Sequence, residues 1–235
     1  MVNLQNIDVV ILCGGYGTRL REVIKDIPKP MAEINGRPFI DILINYISSF
    51  GFTRYILCTG YKGDVIRDYY ENKNNSFEVL FSEEKEAMGT GGAIKKAESL
   101  IQYSMFLAIN GDSLCKINIE NFFKFHLLKN AFASIALITK DNSVDCGITK
   151  LDNNERIIGF HEKMITNETS FVNAGMYIFN REIFSFIPEN KKNSLEVDLF
   201  PKLVKHKDIY GFRTQERLFD IGTPERYAIA KKYLA

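Results

Sequence analysis

Residues 12–20, Leu-Cys-Gly-Gly-Tyr-Gly-Thr-Arg-Leu, follow an apolar run, Ile7 to Ile11, that is interrupted only by Asp8. Gly14, Gly15 and Gly17 let backbone amides approach an anion closely and tolerate φ > 0, and Arg19 adds a charge the backbone lacks. That combination suits phosphates. A Walker loop is excluded, because no Lys-Ser or Lys-Thr follows the glycines, and so is the dinucleotide fingerprint, because Leu20 stands where it needs a small residue. A bare strand-to-helix turn would account for the glycines but not for Arg19. Two carboxylates also close apolar runs: Asp112 in Phe-Leu-Ala-Ile-Asn-Gly-Asp and Asp220 in Leu-Phe-Asp-Ile-Gly-Thr-Pro. Converging on the glycine loop, they would make the hard-oxygen site that Mg²⁺ favours when it also binds phosphates; taken singly, Asp112 could cap a turn and Asp220 the approach to a helix. Arg19, Lys29 (held between Pro28 and Pro30) and Lys163 supply cations. Phosphoryl and nucleotidyl transfer depend on positioning and charge neutralisation, so the lack of a Ser-His-Asp set is expected.

These groups need a scaffold, and the hydrophobic pattern predicts one. Strand-like runs at Ile7–Cys13, Tyr55–Thr59, Phe77–Phe81, Met105–Asn110 and Ala133–Thr139 alternate with helical patterns at Phe39–Phe50, Gly63–Asn72, Gly91–Ile101 and Ile119–Lys129. The expected fold class is α/β: a Rossmann-like, mostly parallel mixed sheet with helices on both faces, and ligands beyond the strands' carboxyl ends. After about residue 140 shorter segments, Gly147–Leu151 and Ile157–His161, flank the turn Asp152-Asn153-Asn154-Glu155. A single domain over 1–235 is expected, with about 1–140 as its first part and about 141–235 as a smaller mixed α/β lobe sharing the sheet. Its closing helix starts at Pro224 with Thr223 as N-cap.

Composition narrows the options. A net charge of +1 argues against a broad nucleic-acid-binding face, so anion recognition must be local. No apolar stretch reaches the roughly 20 residues needed to span a bilayer. Nor does Met-Val-Asn-Leu-Gln-Asn carry the basic region of a signal peptide, so no membrane partner and a cytoplasmic location are expected. Cys13, Cys58, Cys115 and Cys146 lack metal-ligand spacing and read as reduced core residues. His126 reads as packing or surface. Phe122, Phe123, Phe125 and Phe132 read as core or as the contact of a possible homo-oligomer.

In order along the chain stand Gly14-Gly15-Tyr16-Gly17-Thr18-Arg19-Leu20, Lys29-Pro30-Met31, Gly89-Thr90-Gly91-Gly92-Ala93, Asn110-Gly111-Asp112, Glu162-Lys163, Asn173-Ala174-Gly175-Met176-Tyr177 and Asp220-Ile221-Gly222-Thr223-Pro224. Over nearly its full length the sequence resembles the sugar-1-phosphate nucleotidyltransferases. The wording Arg21-Glu22-Val23-Ile24-Lys25-Asp26-Ile27-Pro28-Lys29-Pro30-Met31, with Ser194-Leu195-Glu196-Val197-Asp198, is most similar to D-glycero-α-D-manno-heptose 1-phosphate guanylyltransferases. The resemblance implies an enzyme joining a nucleoside triphosphate, GTP favoured, to a sugar 1-phosphate with Mg²⁺. It implies that Arg19 and Lys29 hold the triphosphate, that Asp112 and Asp220 hold the metal, and that Lys163 sits near the α-phosphate. Leu12, Gly14, Gly15, Gly17, Thr18, Glu84 and Gly89 would contact the nucleotide, and Gly147, Glu162, Lys163, Asn173 and Gly175 the sugar. Met164, after Glu162-Lys163, and Ala87, before Met88, stand where relatives often carry proline; both changes leave the charged groups in place but loosen the backbone that aims them.

Where relatives for other bases often carry glutamine, this chain has Glu84 within Ser82-Glu83-Glu84-Lys85-Glu86. A carboxylate can accept from both N1–H and N2–H₂ of guanine but faces carbonyl oxygens on either side of the uracil or thymine imide. The alternative is a solvated acidic turn. Ser194 can cap a helix whose early acids, Glu196 and Asp198, suit its positive end; either acid could instead contact sugar hydroxyls.

Overall fold

A computed structural model describes residues 3–140, 146–164 and 170–234; of 140, 146, 147 and 161–164 only the backbone is described. In chain order come β1 (Asp8–Leu12), a 3₁₀ turn at Thr18–Leu20, another at Lys29–Met31, the small hairpin β2 (Glu33–Ile34) and β3 (Arg37–Pro38), α1 (Phe39–Ser48), β4 (Arg54–Thr59), α2 (Gly63–Glu71) and β5 (Glu78–Glu83). Then follow α3 (Gly89–Lys96), β6 (Met105–Asn110), β7 (Ser113–Cys115), α4 (Ile119–Leu128), β8 (Ala133–Lys140), β9 (Cys146–Leu151), β10 (Ile157–Met164) and β11 (Ser170–Asn180). A π turn at Leu195–Leu199 leads into α5 (Phe200–His206), β12 (Ile209–Thr214), β13 (Leu218–Asp220) and α6 (Pro224–Tyr233). No helix among the described residues is long and apolar enough to cross a membrane.

The parallel strands lie in the order β5-β4-β1-β6, and the sheet continues through β11, which runs antiparallel to β6. β11 pairs with β8 along one edge, and with β6 and then β9 along the other. β12 returns to pair with β8 in parallel. The expected α/β fold is therefore observed, with one sheet running through both parts of the chain. Alternation along β1 sends Val9 and Ile11 into a core beneath α1, α2, α4 and α6, and Val10 into a second core beneath α3 and α5. Both faces are covered, which is why the strands read as continuous apolar runs.

Element ends shift where side chains decide them. The helix expected over Gly91–Ile101 stops at Lys96 and closes with a 3₁₀ turn at Glu98–Leu100, where Arg54 Nη1 donates to the Leu100 carbonyl at 2.9 Å. Thr223 caps α6, its hydroxyl accepting from Arg226 N at 3.3 Å. Asp8, the odd residue in an apolar run, is completely buried and ion-paired with Arg54, and its other oxygen accepts from Gln102 N at 2.6 Å and Tyr103 N at 3.3 Å. Removing one partner would strand a buried charge. Arg54→Met should destabilise the fold by about 3–5 kcal/mol, lowering the melting temperature by roughly 10 °C, as calorimetry would show.

Candidate functional site

A cleft of about 210 Å³ opens at the carboxyl ends of the parallel strands, lined by residues 12–16, Lys29, Pro30, Glu84, Ala87, Gly89, Thr90, Ala93 and Asp112. Its floor is backbone. Cys13 N donates to Cys58 O at 2.8 Å and Gly111 N to Leu12 O at 2.9 Å, which fixes the start of the first glycine loop to β4 and to the Asn110-Gly111-Asp112 corner. A Cβ on Gly14 would stand 2.9 Å from Glu84 Oε2, so only glycine fits there without displacement. Gly17 has φ +58° and rests against the Lys29 stem. The Thr18–Leu20 turn leaves Thr18 and Arg19 exposed at the rim, outside the lining.

Pro28 and Pro30 frame the 3₁₀ turn that aims Lys29 inward, where its ammonium meets Asp112 Oδ2. Ser113 Oγ donates to the other Asp112 oxygen at 3.0 Å. Burial pushes the Asp112 carboxyl up, but the adjacent Lys29 and these hydrogen bonds outweigh it and hold the group below its usual range. Asp220 arrives beside it because β13 pairs antiparallel with β7, Asp220 opposite Ser113, and Ile221 N donates to Asp112 O at 3.0 Å. Arg226 Nη1 binds Asp220 Oδ1 at 3.1 Å. Around the Cα of Gly222 the charges gather: a Cβ there would lie 2.8 Å from Asp220 Oδ1, 3.6 Å from Lys29 Nζ and 3.9 Å from Arg19 Nη2. Three cations, Lys29, Arg19 and Arg226, and two carboxylates thus gather where Lys29 and Asp112 line the cleft. Among the described residues no group of three or more His, Cys, Asp or Glu could hold a metal, so the protein offers an acid pair. That donor set fits an ion that takes its other ligands from phosphate and water.

Glu84 also lines the cleft. Glu83, Lys85 and Glu86 are exposed, but Glu84 is only 9% exposed, because its N–H continues the β4–β5 ladder by donating to Thr59 O at 2.8 Å and its side chain turns under Gly14. The solvated acidic turn therefore describes its neighbours and not Glu84. Its Oε1 is buried without a hydrogen-bond partner. Burial raises its pKa, opposed by the Met88 amide and by Lys96. A buried carboxylate oxygen without a donor, on a residue that lines the cleft, is a group awaiting one.

The second glycine loop is tied to the residues that lead into α5. Gly91 N and Gly92 N donate to Asn193 O at 2.9 and 3.1 Å, Asn193 N to Met88 O at 2.8 Å, and Leu195 N to Thr90 Oγ1 at 2.8 Å. Ser194 is the expected cap, accepting from Glu196 N and Val197 N, though the turn it opens is π. Asn173 and Gly175 lie outside the cleft lining: Asn173 Oδ1 accepts from Gly175 N at 2.9 Å, its Nδ2 donates to Tyr177 OH at 2.9 Å, and Gly175, at φ +73°, sits against the Asn110 amide. Gly147, Glu162 and Lys163 belong to β9 and β10, and their side chains lie outside the described residues. The structure thus brings Leu12, Gly14, Gly15, Lys29, Glu84, Gly89 and Asp112 to one cleft. Thr90 also lines it, a residue that Gly89-Thr90-Gly91 could have flagged as its loop's only side chain with a hydroxyl.

Cys13, Cys58 and Cys115 are free and buried. His126 is packed inside and not at the surface, its ring between Ser134 Oγ at 2.9 Å and Asn180 Oδ1 at 3.2 Å, and burial lowers its pKa despite the Asn180 hydrogen bond. Phe122 and Phe123 are core, while Phe125 packs on Phe212 and Phe132 on Phe186.

The chain is 36% identical over 227 residues, 97% of its length and 98% of the relative's, to the D-glycero-α-D-manno-heptose 1-phosphate guanylyltransferase of Aneurinibacillus thermoaerophilus. It is 34% identical to the enzyme of that name from Campylobacter jejuni, over 93% of this chain and 96% of that one. The crystal structure of HddC from Yersinia pseudotuberculosis, complexed with GMP-PN, superposes with a TM-score of 0.86 at 36% identity, covering 97% of this chain and all of that one. The nucleotidyl transferase family model matches residues 8–235, and the chain belongs to that family.

Proposed function

We propose that this protein transfers the guanylyl group of GTP to a sugar 1-phosphate, D-glycero-α-D-manno-heptose 1-phosphate, releasing pyrophosphate and forming a GDP-sugar for surface glycan assembly. The observation that carries the reading is Glu84: a buried carboxylate with one unpartnered oxygen on a residue that lines a cleft together with Lys29 and Asp112, with Arg19 and Asp220 gathered beside Lys29 at Gly222. An acceptor and a set of cations in one cleft suit a molecule that carries both hydrogen-bond donors and phosphates, as GTP does. The names of the relatives point the same way.

In this mechanism Glu84 accepts from guanine N1–H and N2–H₂ while the amides of residues 14–17 and 89 approach the phosphates. Lys29 and Arg19 neutralise the triphosphate and the departing pyrophosphate. Lys163 and Glu162, with Gly147, Asn173 and Gly175, take the sugar phosphate, whose oxygen attacks the α-phosphorus in line. Asp112 and Asp220 would hold Mg²⁺, which when bound offsets repulsion between the two anionic reactants. Residues up to about 140 serve the nucleotide and the rest the sugar, and the setting is cytoplasmic, where nucleoside triphosphates are made.

Pyrophosphate release across a matrix of nucleoside triphosphates and sugar 1-phosphates tests this. GTP with the heptose phosphate should exceed UTP by at least about 100-fold in kcat/KM, because the wrong base leaves Glu84 facing carbonyl oxygens. Preference for UTP with a hexose or amino-sugar phosphate would overturn the choice of base and sugar.

A further inference from the structure

The turn that follows β4, Gly60-Tyr61-Lys62-Gly63, is built against the segment that joins the first glycine loop to Lys29. A Cβ on Gly60 would stand 2.9 Å from Gly14 O, so the two backbones are in contact, and Gly63 N donates to Gly60 O at 2.9 Å. Lys62 takes a left-handed φ of +52°, a conformation that is costly for a residue with a side chain and persists where the surroundings hold it. Part of that hold is its own ammonium, which donates to Asp26 O at 2.7 Å and stands 3.8 Å from the Asp26 carboxylate.

Between these two attachments lies the ring of Tyr61. Tyr16 packs on it with ring centroids 5.7 Å apart, and the Arg21 guanidinium carbon stands 4.6 Å from its centroid. Tyr16 and Arg21 bracket Arg19 in sequence, and Arg21 caps the 3₁₀ turn that carries it, its N–H donating to Thr18 O at 3.4 Å. Leu20 pins the middle of that turn to the core, while Tyr61 touches both of its flanks. Ring packing and a cation–π contact each resist displacement of the residue that makes them. Tyr61 itself lies outside the cleft lining, whereas Arg19 Nη2 comes within 3.9 Å of where a Cβ on Gly222 would lie, beside Asp220 and Lys29.

We propose that Tyr61 is a positioning residue for nucleotidyl transfer: gripping Tyr16 and Arg21, its ring fixes the turn between them and keeps the Arg19 guanidinium at the corner where phosphate charge is neutralised. The proposal rests on the guanylyl-transfer reading above and goes beyond it, since Tyr61 touches no reactant in that account. The competing role is an anchor for the start of α2, which would act on stability and not through Arg19.

The test is a double-mutant cycle read by pyrophosphate release from GTP and heptose 1-phosphate, with melting temperatures alongside. Tyr61→Leu should lower kcat/KM for GTP by about 10- to 100-fold, the scale expected when a charged group is misplaced by about 1 Å, while the KM for the sugar phosphate stays within about threefold. Arg19→Met should lower kcat/KM by about 100-fold or more. Adding Tyr61→Leu to Arg19→Met should cost no more than about threefold further, because the group that Tyr61 positions is already gone. Tyr61→Phe, which keeps the ring, should stay within about threefold of wild type. Should Tyr61→Leu fail to fold, Arg21→Met removes the guanidinium from the same ring at an exposed position, and should lower kcat/KM by about two- to fivefold in the wild-type background and not in Arg19→Met. An equal loss in both backgrounds, or a folded Tyr61→Leu within about threefold of wild type, would leave Tyr61 an anchor of α2 and overturn the proposal. Wild-type protein that releases no pyrophosphate with any sugar 1-phosphate would overturn the guanylyl-transfer reading and the proposal with it, a result visible before any variant is made.

Discussion

Asp112→Ala should lower the rate of pyrophosphate release by roughly 10³-fold while leaving the fold intact. Asp112 is the point at which three parts of the site meet: Lys29 pairs with it, Ser113 donates to it at 3.0 Å, and Asp220 stands across the β7–β13 ladder. Without its charge the acid pair becomes a single carboxylate, and Lys29 loses the anion that holds its ammonium in the cleft. The loss should therefore fall on kcat more than on the KM for GTP, because Glu84 and the glycine loops remain. Binding of Mn²⁺ to the protein, followed by electron paramagnetic resonance, should weaken in parallel. A variant within tenfold of wild type in turnover would remove Asp112 from the reaction.

Glu84→Gln should collapse the base preference, bringing the ratio of kcat/KM for GTP over UTP down by about 10- to 100-fold, mainly through loss of GTP. The same change should stabilise the unliganded protein at neutral pH. The folded-state pKa of Glu84 is raised by burial, against the Met88 amide and Lys96, so folding disfavours its charged form. Its cost is absent below the ordinary carboxylate range near 4, appears as the pH rises through that range, and persists at pH 7. Melting temperatures of variant and wild type should coincide below about pH 4, and the variant should melt about 1–3 °C higher at pH 7. GTP should then stabilise the wild type more than the variant. A variant less stable at pH 7 and unchanged in base choice would make Glu84 a structural acid.

The parallel half of the fold was legible because its strands are buried on both faces: Met105–Asn110 is found as expected, and Ile119–Lys129 and Ala133–Thr139 to within one residue at an end. The antiparallel half was less so. β11 breaks register with β8 between Asn173 and Tyr177, and β12 returns to β8 from more than 60 residues away, so local periodicity carries little of either. Asp220 stands beside Asp112 through β7–β13 pairing across more than 100 residues, which no spacing encodes. Glu84 could not be separated from Glu83 and Glu86 in sequence, because the β4–β5 register selects which acid turns under Gly14. Likewise Ser194 signalled a cap, while only the geometry divides Glu196 from Asp198.

The central claim is that this site moves a guanylyl group, and the most direct measurement follows GTP labelled at the α-phosphate with Mg²⁺ and D-glycero-α-D-manno-heptose 1-phosphate. The account predicts that the label enters a sugar nucleotide in equal amount to the pyrophosphate released, and that Asp112→Ala abolishes the transfer. GTP that binds and is recovered unchanged with every sugar phosphate would contradict it and leave a nucleotide-binding module without turnover.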